Sequence, residues 1–224
     1  MTIEFVVNIF GKTFIIPETI VNVWIIVIVL FIFALIVNRK VKKLKVDEKP
    51  SNFLNVIEMY VEMIDNLVKD TMGEKHVKSF GPYIFTLMTF LLFANLIGLI
   101  GLTPPTSDYS VTLTLALITF TLTQFFGLKN NGFVGYLKGF TEPIALLTPL
   151  NVIGEIANPV SLSFRLFGNI MSGVLIMTLV YNAVGFFAPL VAPPLHAYFD
   201  IFSGVLQSFI FTMLTMVFIG GNLD

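Results

Sequence analysis

The sequence predicts an all-α polytopic membrane protein with about five membrane helices and one interfacial amphipathic helix, the last two membrane helices being long and strongly tilted. Three observations carry this. Hydrophobic residues make up 56% of the chain and charged residues 12%, a balance that leaves no separate soluble domain. The apolar runs are about 20 residues or longer, the length a helix needs to cross a bilayer. The basic residues are one-sided: of thirteen Lys and Arg, eleven fall in segments assigned to the inside, Lys12 alone falls outside, and Arg165 lies within an apolar run.

The start, through Phe14, has no basic stretch ahead of a short apolar core and no small-residue cleavage site, so it does not read as a removable signal. The first span, residues 20–37, ends in Asn38-Arg39-Lys40-Val41-Lys42-Lys43-Leu44-Lys45, a basic stop that faces the cytoplasm. Residues 51–72 follow Pro50 and are amphipathic: Glu58, Glu62, Asp65 and Lys69 share one helical face, while Phe53, Val56, Tyr60, Ile64 and Leu67 lie towards another. Such a helix is expected along the membrane surface. Spans at 82–102 and 111–128 flank a short turn expected outside, and Lys129, Asn130, Asn131, Gly132 and Lys138 return the chain to the inside. Two segments, 146–181 and 194–219, both exceed a perpendicular crossing, hence the expected tilt. On this path the N-terminus is outside and the C-terminus cytoplasmic. The whole chain, 1–224, reads as a single membrane domain.

Arg165 is the residue to explain. A guanidinium stays charged, and placing one at mid-bilayer depth costs ~2.5–3.5 kcal/mol or more. It belongs to a polar stripe, Asn151, Glu155, Asn158, Ser161, Arg165, Asn169 and Ser172, whose steps of three and four put all seven on one helical face. A shorter stripe, His196, Asp200, Ser203 and Gln207, repeats in the same way on the last helix. The two stripes face each other or a third partner. Plain structural roles stand beside these. Asn and Ser often bond neighbouring membrane helices for ~0.6–2 kcal/mol, a reading open for Asn95, Asn158 and Ser172. Arg165 and Glu155 are ten residues apart, about 15 Å along a helix, and cannot touch within it. A structural pair of Arg165 with Asp200 across helices stays open. His196, near the outer boundary, reads as a solvated structural residue. Glu155 and Asp200 must be protonated, hydrated or paired in hydrocarbon, and hydration would make them channel linings.

The run Pro159-Val160-Ser161-Leu162-Ser163-Phe164-Arg165-Leu166-Phe167-Gly168-Asn169 resembles the signature of subunit a of F-type ATP synthases, in which the arginine is followed by Leu-Phe-Gly-Asn. The resemblance extends to Phe93-Ala94-Asn95-Leu96-Ile97-Gly98-Leu99, to Thr106-Ser107-Asp108, and to the last helix from Leu206 to Thr215. It implies a membrane stator subunit beside a rotating ring of c subunits, with two offset half-channels for protons or sodium ions. Implied partners are the c-ring, the peripheral stalk b subunits, the other ATP synthase subunits through the stalk, and the lipid bilayer. Arg165 matches the family's essential rotor-facing arginine. A fixed cation there lowers the pKa of an approaching ring carboxylate and repels a cation crossing directly between half-channels. Asn169 and Gln207 carry over as polar support. Many relatives place a glutamate nine residues after the arginine, where this chain has Val174. Some carry an ionisable residue seven positions before the matching glutamine, here Asp200, which takes the outer half-channel. Glu155 is the candidate for the inner one and Glu142 a weaker candidate. Ser161 and His196 complete the expected ion pathway.

Rival classes are lowered by what the chain lacks. An ion-coupled secondary transporter often shows internal repeats with matching broken helices, and none is evident. A membrane hydrolase needs a nucleophile with its base or a metal cluster, whereas His76 and His196 are the only histidines and neither has a ligand set around it. A passive scaffold needs no full-depth polar stripe. No glycine-rich phosphate loop with GK[ST] occurs, so ATP chemistry would lie in other subunits. No cofactor, metal or nucleic-acid partner is expected, and the bacterial plasma membrane is the expected location.

Overall fold

The computed structural model describes residues 4–9, 12–44, 49–141 and 144–223. Long apolar helices dominate, as the composition demands. In chain order they are α1 (Glu18–Lys43), α2 (Asn52–Met72), α3 (Val77–Leu96), α4 (Tyr109–Gly139), α5 (Thr148–Val184), α6 (Ala188–His196) and α7 (Ser203–Gly220). Among the described residues, four helical stretches are long and apolar enough to cross a membrane: Glu18–Lys43, Glu74–Ile100, Tyr109–Gly139 and Thr148–Gly220. A two-stranded antiparallel hairpin, β1 (Glu4–Ile9) and β2 (Lys12–Pro17), precedes α1. It is an addition to the all-helical expectation.

The helices alternate in direction, and the contacts between them show it. Asn22 of α1 donates to the Thr103 carbonyl, and Ile26 packs with Ala94 and Ile97 at the far end of α3. The Lys-rich ends of α1, α3 and α4 therefore lie together, at what is called here the basic end. Tyr60 of α2 meets Thr89 of α3 at 3.2 Å, and Met72 lies beside Gly220 of α7, so Ile64, Val68 and Met72 of α2 are buried against α3 and α7 while Phe53 and Val56 stay exposed. Ser51 caps α2 by accepting from the Leu54 N–H.

Helix α7 is the axis of the bundle. It buries Gly204, Gln207, Ser208, Phe211, Thr212, Thr215, Met216 and Ile219, while the longer α1 buries only Asn22 and Ile26. Helix α5 ends at Gly185, whose φ of 51° is reached without a Cβ penalty, and the chain folds back along its own last turns. The return pairs Tyr181 with His196, sets Gly173 against Phe199, and joins Asn169 to Ser203. Farther along, Leu162 and Leu166 share a core with Leu87, Leu91, Ala116 and Phe211. Apolar side chains gain nothing from leaving lipid for protein, so close packing and hydrogen bonds hold these helices together.

The polar stretch after Lys129 remains helical. Helix α4 continues to Gly139, with a break at Gly132 (φ 66°, ψ 166°) that turns its last residues aside. There Tyr136 folds against Gly127 and Asn130 donates to the Asn222 carbonyl.

Candidate functional site

Five of the predicted polar residues serve as internal ties or lie close to one. Asn95 is fully partnered: its Nδ2 donates to the Gly204 carbonyl (3.1 Å) and to Ser208 Oγ (2.8 Å), and its Oδ1 accepts from Thr106 (2.7 Å). A Cβ at Gly204 would come within 3.2 Å of Asn95 Cβ, so the small residue permits this knot. Ser203 donates to Asn169 Oδ1 at 3.0 Å, joining the two predicted stripes directly. Gln207, only 4% exposed, has no hydrogen-bond partner for its Nε2. Ser172 is exposed and bonds only the Asn169 carbonyl of its own helix.

Arg165 is different in kind. It is exposed on α5, and among the described residues it has neither a hydrogen bond nor an ion pair. Ser161, Phe164, Gly168 and Ser172 share its open face. A Cβ on Gly168 would meet nothing within 4 Å, so no internal contact requires a glycine there. At the start of α7 and in the turn just before it the surface is apolar, with Ile201, Phe202, Val205, Leu206 and Phe209 exposed. The cross-helix pair of Arg165 with Asp200 that the sequence left open is absent.

Asp200 instead bonds His196: its Oδ2 and the His196 Nδ1 are in short contact, and the His196 Nε2 meets the Tyr181 hydroxyl at 2.7 Å. His196 is thus held from both sides, a correction to its reading as a simply solvated residue. The missed member is Tyr181, fifteen positions from His196. Only the fold-back at Gly185 brings them together. Asp200 sits on a π-helical turn, Ala197–Phe202, that follows Pro193 and Pro194. Prolines remove ladder N–H groups, and wide turns of this kind often re-aim side chains at functional positions.

Glu155 lies at the other level. Gln124 Nε2 donates to its Oε2 at 3.1 Å, a partner within the chain. It borders an open cavity of about 820 Å3 at the basic end, whose polar lining includes Asn131, Tyr136, Lys138, Asn151, Asn158 and Asn222. Beyond Glu155 the space narrows to about 10 Å3 among Thr119, Thr123, Asn158 and Pro159, room for about one water molecule. Pro159 has no N–H for the Glu155 carbonyl four residues back, which leaves that oxygen free of the helix ladder. Gln124, a lone amide in the apolar run 111–128, was the signal available for this contact. Glu142 lies outside the described residues.

Along α5, Glu155 precedes Arg165 by about 15 Å, and the Asp200 turn lies level with Gly173, about 12 Å beyond Arg165. Arg165, which has no ion pair among the described residues, therefore stands along α5 between the levels of two carboxylates. This is the arrangement of an ion-handling membrane subunit. The chain belongs to the ATP synthase A chain family, whose sequence profile matches residues 20–220. It is 38% identical over 212 residues to ATP synthase subunit a of Trichlorobacter lovleyi, covering 92% of this chain and 87% of that one. It is 36% identical over 222 residues to the sodium ion specific ATP synthase subunit a of Propionigenium modestum, covering 92% and 73%. It is 37% identical over 212 residues to ATP synthase subunit a of Geobacter sulfurreducens, covering 92% and 88%. As a member of this family it is an ion-translocating membrane subunit of an ATP synthase complex, and the ATP chemistry is carried out by other subunits.

Proposed function

We propose that the chain is the stator that feeds ions to a rotating ring of c subunits through two offset half-channels, one on each side of Arg165. The observation that carries this reading is the unpaired, exposed Arg165 between Glu155 and Asp200. A cation left without a partner on an apolar helix face is stable in the assembled membrane only when something outside the subunit supplies the countercharge. The ring carboxylate of a c subunit is such a group, and the open space at Gly168, with the small side chains of Ser161 and Ser172, suits the close approach of a partner helix.

The cavity leading to Glu155 is the inner half-channel in this reading, and Asp200 is the acid of the outer one. Ser161, Asn169 and Gln207 line or support the route between them, with the buried free N–H of Gln207 available to an ordered water. Glu142, which lies outside the described residues, remains an accessory inner carboxylate. An ion entering one side can leave by the other only by riding the ring, because Arg165 repels a direct crossing. Each cation moved across the potential supplies ~2.3 kcal/mol per 100 mV. The peripheral stalk b subunits hold the stator against the torque. The basic end faces the cytoplasm of a bacterium and the N-terminus faces outward, following the distribution of Lys and Arg.

The test is ATP-driven acidification and sodium uptake in liposomes holding the assembled complex, comparing wild type, Arg165→Ala and Asp200→Asn. Coupled pumping is expected to vanish in the first variant and to slow in the second. Normal pumping by assembled Arg165→Ala complexes overturns the reading.

A further inference from the structure

Asp65 of α2 and Lys78 of α3 line one cavity of about 290 Å3, together with Val61, Gly81, Pro82 and Phe85. We propose that this cavity binds a zwitterionic phospholipid whose head group carries a primary ammonium, of the phosphatidylethanolamine kind, in the leaflet at the basic end. The inference stands apart from the ion path, since the cavity lies between α2 and α3 and touches neither α5 nor α7.

The two charges share the cavity without pairing. Among the described residues neither Asp65 nor Lys78 has a hydrogen bond or an ion pair, whereas Lys69, one turn along α2, pairs with Glu74 at 3.2 Å. The Asp65 carboxylate lies against the α3 backbone: a Cβ on the buried Gly81 would come within 2.7 Å of its Oδ1. Pro82 has no N–H for the Lys78 carbonyl four residues back, so that oxygen is released from the helix ladder. Lys78, Gly81, Pro82 and Phe85 share one helical face, the one that borders the cavity. The Asp65 carboxylate and the Lys78 carbonyl are thus two acceptors at one space, and an ammonium with three N–H groups can bond both. A quaternary ammonium has no N–H to offer. The Lys78 ammonium, on its long stem, meets the phosphate as a point charge.

The polarity of the cavity follows that of a lipid at the membrane interface. Lys78 sits in the first turn of α3, at the basic end, and Phe85 lies seven residues, about 10 Å, farther along. Val61, 38% exposed, and the exposed Pro82 leave the apolar side open towards the bilayer. Tyr60 packs on Phe85 with ring centroids 5.2 Å apart and holds that deep wall in place. The volume is near the lower end of the ~300–1,000 Å3 of small-molecule pockets, enough for a head group with its acyl chains left in the bilayer. Charge chooses among lipids. One carboxylate and one ammonium match a zwitterion, whereas an anionic head group without an amine leaves Asp65 facing negative charge.

The experiment uses assembled complexes in liposomes that hold a trace of phosphatidylethanolamine bearing a photoreactive diazirine on one acyl chain near the glycerol. Labelled peptides are read by mass spectrometry. Label is expected on the peptides that contain Val61 and Phe85. Unlabelled phosphatidylethanolamine should displace it at least about tenfold better than phosphatidylcholine or phosphatidylglycerol, the least that a lost charge-assisted hydrogen bond costs. Soluble phosphoethanolamine, without acyl chains, should compete weakly. Asp65→Asn keeps the volume and removes the charge, so its labelling should fall about tenfold and the preference among head groups should disappear. The wild-type competition needs no variant to assemble. Equal displacement by all three lipids, or unchanged labelling and preference in Asp65→Asn, overturns the proposal. Equal competition by soluble phosphoethanolamine overturns the lipid as the occupant. No label on these peptides means that another subunit covers the cavity, and overturns it as well.

Discussion

Asn95 and Arg165 are both polar groups on apolar helices, and the fold treats them in opposite ways. Asn95 is buried among α3, α7 and the turn before α4, with donors and acceptor all matched inside the chain. Arg165 faces out, and among the described residues nothing matches it. A polar group satisfied internally contributes to the architecture. One left unsatisfied in an apolar setting defines a site that an external group must complete. The same contrast separates the Thr119–Thr215 tie, closed at 3.0 Å between α4 and α7, from Gln207, whose Nε2 has no partner.

The largest expected effect is on the open side of this comparison. Arg165→Ala should lower coupled ion flux by about 100-fold or more, as the loss of a preorganised charge does, while the purified subunit keeps its thermal stability. A large loss of stability would mean that Arg165 is a structural cation after all. Next, Asn95→Leu should destabilise the subunit by ~1–3 kcal/mol, because Thr106 and Ser208 lose buried partners. Thermal unfolding in detergent reads this, and residual complexes should keep the ratio of ions to ATP. Asp200→Asn should slow flux about tenfold, equivalent to ~1.4 kcal/mol in the barrier, measured as the rate of ATP-driven acidification.

Accessibility sharpens the contrast further. The chain has no cysteine, so single substitutions can be labelled without background. Asn151→Cys and Asn158→Cys, on the cavity that reaches Glu155, should react with a charged thiol reagent applied at the basic end, whereas Ser208→Cys should not. The smallest effect belongs to Thr119→Val, which should cost ~0.6 kcal/mol, the average for a hydrogen bond between membrane helices, with unchanged flux.

Much of the site was legible before the fold. Steps of three and four from Asn151 to Ser172 already put Arg165 in a stripe, because a helix repeats every 3.6 residues whatever its neighbours are. What the stripe does was not legible. Asn169 meets Ser203, Glu155 meets Gln124, and Arg165 has no hydrogen bond or ion pair among the described residues, and no periodicity distinguishes these fates. Lys129 to Lys138 looked like a polar return, yet the chain stays helical there except at Gly132, where a positive φ is inexpensive for glycine.

By itself the sequence determined the class of fold, the side on which the basic residues gather, and the presence of one deeply placed cation. These follow from hydropathy, charge and helical period, which are local properties of the chain. Only the tertiary structure decided which polar groups are partnered. It joined His196 to Tyr181 through the reversal at Gly185, opened the cavity below Glu155, and left Arg165 between two carboxylates. Those outcomes depend on contacts between residues far apart in the chain, set by how helices pack and where the backbone turns.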